Sequence, residues 1–304
     1  MRLKVRSASS PGKIILFGEH FVVYGKPAIV SAIDLRAKVK IQPTSEPQVK
    51  LSNGSTHNPA VKAAEYILQE LKINLGLIID IESTIPPSAG LGSSASISVA
   101  SAAATSLLLL DRIDLDLVRE AAFVGEKLVH FNPSGIDTSI ALYGGSGLYT
   151  RAESLKPINI SIDRLLVIDT GKTRKTGEMV KKVREFYEEN KEKFKEILEE
   201  YDEILNSVLD SFKNRNLEDI GKLMLRNQEL LREIGVSCEE IEKAIKTALD
   251  AGAYGAKLTG AGGGGCVVAL IDEDRLEKAV SMISEKFKVY TPRLSAEGVR
   301  EEKT

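Results

Sequence analysis

Pro86-Pro87-Ser88-Ala89-Gly90-Leu91-Gly92-Ser93-Ser94-Ala95 is the stretch on which the reading of this chain turns. Glycines at 90 and 92 permit positive φ and let a ligand approach the backbone without meeting a Cβ. The residues that follow, Ala95 to Leu110, are small or apolar on nearly every face, the pattern of a helix buried on most sides. A turn opening into such a helix presents unpaired N–H groups and the positive end of the helix dipole, a seat for a polyphosphate. Ser93 and Ser94 add hydroxyls for the phosphates or for magnesium, a cation that takes oxygen ligands. The loop is not a Walker A, because the Gly-Lys-Ser/Thr ending is absent, and it is not GxGxxG. A Ser-capped helix entry explains the same residues, so their meaning depends on the rest of the chain.

Upstream of this turn, Leu3 to Val5 and Lys13 to Val23 are β-rich runs parted by Ser-Ser-Pro-Gly, and Ala28 to Ile33 and Ala37 to Ile41 read as further strands. Val61, Ala64, Ile67, Leu68 and Leu71 keep helical spacing over Pro59 to Leu71, and Leu77 to Ile81 returns to strand. Downstream, a helix is expected over Leu115 to His130, a non-helical turn over Phe131 to Asp137, and a Gly-rich turn and strand over Tyr143 to Tyr149. Glu178 to Asn214 is charge-dense, yet its apolar residues form a helical stripe, so the charges read as a solvated face. Further helices are expected at Leu217 to Ile234, Cys238 to Ala251 and Arg275 to Phe287, with a Gly loop at Gly260 to Gly265 and a strand at Cys266 to Ile271.

A chain of 304 residues suits two domains or one large one, and the change of texture places a boundary between Thr150 and Asp169. Lys and Arg total 41 against 43 Asp and Glu, so no global field draws the protein to nucleic acid or an anionic membrane. A phosphate ligand has to be held locally. Cys238 and Cys266 form no CxxC pair, which fits a reducing cytosol without a disulfide framework or zinc site. No apolar leader is visible at the amino terminus, and the run at Leu107 to Leu110 is too short to span a bilayer. A soluble, cytoplasmic protein is expected; a homodimer is compatible with the sequence but not indicated by it.

Two other segments give the turn its context. Pro11-Gly12-Lys13-Ile14-Ile15-Leu16-Phe17-Gly18-Glu19-His20-Phe21-Val22-Val23-Tyr24-Gly25 resembles the first motif of mevalonate kinases. Pro86 to Ala95 looks like the second, ATP-binding motif of the galactokinase, homoserine kinase, mevalonate kinase and phosphomevalonate kinase (GHMP) superfamily. Lys257-Leu258-Thr259-Gly260-Ala261-Gly262-Gly263-Gly264-Gly265-Cys266 looks like its third. The three occur in the family's order, and the resemblance covers most of the chain. Gly18-Glu19-His20 followed by Val22-Val23-Tyr24-Gly25 is similar to mevalonate kinase and unlike galactokinase, which has Thr-Asp after Glu-His. Phe131 is a departure, standing where related enzymes often have Gly.

The resemblance implies an α+β, two-domain GHMP kinase fold: a ribosomal protein S5 domain 2-like domain at residues 1–160 and a ferredoxin-like domain at 161–304, with the site in the cleft between them. It implies transfer of the ATP γ-phosphoryl group to the primary hydroxyl of mevalonate, with Pro87, Ser88, Ala89, Gly90, Leu91, Gly92, Ser93, Ser94 and Ala95 at the nucleotide. Asp137 matches the family's proposed catalytic base, and Lys13 supplies positive charge beside it. Ser94 and Glu126 match the ligands of Mg2+, while Glu19 and His20 are expected at the mevalonate. Lys172, Arg174 and Lys175 in the Thr170 to Thr176 loop are candidates for its carboxylate. Each assignment has a plainer reading: Asp137 as a helix cap, Glu126 as a solvated helix residue, Glu19 as a surface carboxylate, His20 as a satisfied buried imidazole. Glu126 and His130, four apart, lack the HExxH pattern of a transition-metal site.

Overall fold

The computed structural model describes residues 4–87, 89–128, 135–152, 154–160, 162–173 and 175–303. Strand β1 (Arg6–Phe17) runs on through Ser9-Ser10-Pro11-Gly12, where the sequence suggested a break, and pairs antiparallel with β2 (Ala28–Thr44). The register shifts between Pro11 and Gly12, and this irregularity accommodates a proline inside a paired strand. It also lets β2 stay one strand across the two segments expected separately. A short 3-10 turn, Phe21–Tyr24, takes the place of the strand end expected there.

Beyond β2 come β3 (Val49–Leu51), α1 (Pro59–Glu70) and β4 (Gly76–Ser83). Asn58 caps α1, its side chain accepting from Ala60 N at 2.9 Å, and Pro59 occupies the first helical position, where a missing N–H does no harm. Helix α2 (Ser93–Leu110) follows the Gly-Ser turn, then α3 (Leu115–Lys127), α4 (Ile136–Tyr143), β5 (Ser146–Thr150) and β6 (Ser154–Pro157). By length and hydropathy α2 passes for a membrane span, but it lies in the interior, packed by β1, β2, α1 and α3. Alanine and serine along its length are what let those neighbours approach on every side.

The second half holds β7 (Leu166–Asp169), α5 (Thr176–Glu189), α6 (Lys191–Asn214), α7 (Leu217–Glu233), α8 (Glu239–Asp250), β8 (Gly255–Thr259), β9 (Cys266–Leu270), α9 (Glu273–Ser284), β10 (Lys288–Tyr290) and β11 (Arg300–Glu302). The charge-dense run expected as one helical stretch divides at Asn190, whose φ of -131° and ψ of 50° are not helical. Strands β10-β7-β9-β8 form an antiparallel sheet in which the first strand lies between the third and the fourth, the order of a ferredoxin-like α+β unit. The other sheet runs β11-β1-β2-β4-β3, with β5 and β6 added beside β2. Its outer strand β11 is the end of the chain, so the last residues return to the first layer although the sequence placed all of 161–304 together.

One buried cluster joins the two halves. Ile14, Phe17 and Phe21 from the first share it with Val167, Tyr201, Leu258 and Val267 from the second. Tyr201 stacks on Phe21 at 4.7 Å between ring centroids and donates its hydroxyl to Pro27 O at 2.6 Å. Strand β1 is therefore the seam of the molecule: it carries the start of the first motif and bonds to the second at Leu91 and the third at Thr259.

Candidate active site

Strand β1 holds the Gly-Ser turn through a backbone bond from Lys13 N to Leu91 O at 2.9 Å. Gly92 completes the contact. Its φ is +76°, and a Cβ there would stand 2.9 Å from Lys13 Cγ, so both the left-handed turn and the passage of the lysine side chain require glycine. The first intrahelical bond of α2 runs from Ser96 N to Gly92 O at 3.0 Å. The N–H groups of Ser93, Ser94 and Ala95 therefore precede the helical ladder, as the anion-seat reading requires. Ser88 lies outside the described residues.

Lys13, 4% exposed, extends from this turn to Asp137, its Nζ 3.1 Å from Oδ1. Asp137 sits in the first turn of α4, a helix of eight residues that begins directly after Gly135, at φ +83°. The sequence reading left this region as a turn. The side chain of Asp137 keeps 25% exposure, so the pair is anchored on its lysine side and open on its carboxylate side.

Glu126, at the C-terminal end of α3, is 2% exposed, and its Oε2 accepts a hydrogen bond from the Thr138 hydroxyl. Burial first, then the negative charge of Asp137, pushes its carboxyl up to about 7, against the pull of the Thr138 bond and of Lys13. Glu126 is thus no solvated helix residue; it belongs to the Lys13–Asp137 group. Gly125 explains its position. A Cβ there would fall 2.6 Å from Ser98 Oγ, so α3 meets α2 in near-backbone contact one turn beyond Ser94.

The Ser94 hydroxyl is buried and has no hydrogen-bond partner among the described residues. Orphaned buried hydroxyls are uncommon and call for an explanation. A hydroxyl in the first turn of α2 and a carboxylate at the end of α3 are oxygen donors that fit a magnesium ion, which needs few protein ligands because it keeps phosphate oxygens and waters. No group of three or more His, Cys, Asp or Glu suited to a metal is found among the described residues. His130 and residues 131–134, with the Phe131 departure, fall outside them.

Glu19 and His20 are placed differently from side chains that line an open cleft. Glu19 forms an ion pair with Lys257 in which neither side chain has any exposure, and Lys257 also donates to Leu258 O at 2.8 Å. Burial raises the Glu19 carboxyl and lowers the Lys257 ammonium, while their mutual attraction opposes both shifts. Glu19 Oε2 remains without a partner among the described residues. His20 is 4% exposed, its Nε2 donates to Ala261 O at 2.9 Å, and burial lowers its pKa, which favours the neutral ring. The plainer reading of His20 as a satisfied buried imidazole matches this geometry.

These contacts also account for the third motif. Thr259 Oγ1 donates to Ile15 O at 2.9 Å and accepts from Ile15 N at 3.1 Å, fixing β8 to the seam strand. Gly263 N donates to Val236 O at 2.8 Å and Gly265 N to Lys172 O at 2.9 Å, so the glycine run is a loop approached by backbone on both sides. Lys172 and Lys175 pair with Glu240 and Glu178, each at 2.8 Å, and Arg174 lies outside the described residues. Lys257 and Thr138 were missed as side chains with roles. A lysine between Ala256 and Leu258 in an apolar strand is a visible signal of a buried partner; nothing in the sequence marks Thr138 beyond its place next to Asp137.

The chain as a whole is similar to known proteins. The chain matches the family descriptions "GHMP kinases N terminal domain" over residues 58–145 and "GHMP kinases C terminal" over 208–289. It is 35% identical to the mevalonate kinase of Aeropyrum pernix, across 96% of this chain and 97% of that one. Identity to the mevalonate kinase of Pyrococcus horikoshii is 37%, across 96% of each. Among solved structures, it superposes on L. major mevalonate kinase in complex with R-mevalonate with a TM-score of 0.85 at 32% identity, covering 95% of this chain and 96% of that one.

Proposed function

The chain belongs to the GHMP kinase family and, within it, groups with the mevalonate kinases; on that premise we propose that it transfers the γ-phosphoryl group of ATP to the primary hydroxyl of mevalonate. The observation that supports this most is the Lys13–Asp137 pair, held 3.1 Å apart beside the Gly-Ser turn. Residues Ser88 to Ala95 cradle the polyphosphate through backbone N–H groups and serine hydroxyls, with Pro87, which has no N–H, leading into the turn. Ser94 and Glu126 would hold Mg2+, which would supply positive charge to offset that of the polyphosphate.

Asp137 accepts the proton of the acceptor hydroxyl as its oxygen bonds to the γ-phosphorus. The bond from that phosphorus to the β–γ bridging oxygen breaks, and ADP leaves. Lys13 serves two ends: it holds the Asp137 carboxylate in place, and it faces the charge on the transferring group. Positioning and charge do most of the work, since phosphoryl transfer asks little covalent chemistry of the protein. Glu19 and His20, both buried, serve the site as ties between the first motif and the third, through Lys257 and Ala261.

The test is ADP release measured with mevalonate, phosphomevalonate, homoserine and galactose side by side. Turnover with mevalonate well above the others is expected. Turnover with another acceptor and none with mevalonate would replace the substrate and leave the kinase assignment intact.

A further inference from the structure

Thr138 follows Asp137 in the first turn of α4, and the two side chains serve different partners: Asp137 faces Lys13, and the Thr138 hydroxyl donates to Glu126 Oε2. Thr138 is 4% exposed and Glu126 2%, so water does not substitute for this bond. Threonine in a helix ordinarily returns its proton to the backbone a turn earlier. Here the proton crosses to another helix. A hydroxyl has one proton to give; committed to Oε2, it fixes the plane of the carboxylate and leaves Oε1 and the outer lone pairs turned elsewhere.

We propose that Thr138 is a positioning residue for the divalent cation: it orients the Glu126 carboxylate as a ligand and, through α4, ties that ligand to the turn that carries the base. This rests on the reading of Glu126 as a magnesium ligand given above. Partners that orient a ligating carboxylate typically matter roughly 10- to 100-fold in metal affinity. A purely structural hydroxyl, which only satisfies a buried oxygen, would matter to stability and not to the cation.

The experiment uses Mn2+ as the probe. Its binding to the enzyme saturated with a non-hydrolysable ATP analogue is read from the loss of the free-ion EPR signal, alongside the thermal midpoint and analogue affinity without metal. Thr138→Val and Thr138→Ala, two variants so that one folding failure does not end the test, are expected to weaken Mn2+ binding about tenfold or more. Thr138→Ser, which keeps the hydroxyl, is expected within roughly twofold of the parent, and metal-free analogue affinity is expected to be unchanged in all three. Parent-like Mn2+ binding in the Val and Ala variants with a lowered thermal midpoint would make the residue structural and overturn the proposal. Glu126→Gln separates the two layers: if it binds Mn2+ as the parent does, the ligand reading itself fails and the proposal with it.

Discussion

Two lysine–carboxylate pairs flank the seam strand, and they have opposite surroundings. Glu19 and Lys257 have no exposed side-chain surface, and their bond joins the first motif to the third. Lys13 and Asp137 are covered on the lysine side alone, with Asp137 at 25% exposure and a second carboxylate, Glu126, pushed up to about 7 by burial and then by the charge of Asp137. A sealed pair cannot pass a proton to a substrate, whereas an open pair with a surplus of negative charge is poised to take a cation and a proton. The same chemistry thus serves as a tie in one place and as a reaction centre in the other. Burial decides which.

The sharpest way to break the contrast is to open the sealed pair. Lys257→Met leaves a carboxylate buried without its partner and is expected to lower stability by about 3–5 kcal/mol, measured by denaturant unfolding. Adding Glu19→Gln to it should recover much of that loss, because an uncharged amide is easier to bury. Equal instability of the single and double variants would show that the ion pair does not account for the effect.

A smaller effect with a definite sign belongs to Glu126. Its folded pKa, about 7, stands above the ordinary 4.5, so the folded state holds the extra proton between those values. The stability this group contributes is present below about pH 4.5 and is lost as pH rises through about 7. Glu126→Gln should therefore be more stable than the parent at pH 8, by up to roughly 3 kcal/mol, with the gap closing towards pH 4.5. A gap that grows on acidification would reverse the argument. Smaller again is Gly92→Ala, for which strain at positive φ predicts about 1–2 kcal/mol. Because its Cβ meets Lys13, turnover should fall roughly tenfold to hundredfold as well, visible in kcat. Loss of stability with full turnover would place Lys13 outside the chemistry.

The parts legible in the sequence were those whose cause is local. Gly90, Gly92 and the serines announce a turn into a helix, and the small residues of α2 announce its burial. The apolar stripe of α6 was equally readable, whereas the α+β fold was implied by the family resemblance and not by any local signal. What escaped depended on distant partners or on lengths too short for a pattern. Helix α4 has eight residues, too few for periodicity to assert itself after Pro-Ser-Gly, and so the turn holding both Asp137 and Thr138 read as loop. The division at Asn190 costs one backbone conformation and changes no hydrophobic spacing. β11 pairs with β1 across the whole chain and leaves no trace in its own neighbourhood, while Lys257 in its apolar strand signals a buried partner but not that the partner is Glu19, 238 positions away. Glu19 read as a contact to the acceptor, with a surface carboxylate as the plainer alternative, because Lys257 is distant in sequence.

What separates the open pair from the sealed one is that Asp137 takes the acceptor's proton. Asp137→Asn keeps the shape of the side chain and removes its basicity. Turnover with mevalonate, measured as ADP release at saturating ATP, should fall by roughly 10²- to 10⁴-fold while calorimetric ATP affinity stays at the parent value. Turnover within a few fold of the parent would contradict the role of the pair and return Asp137 to the cap of a short helix.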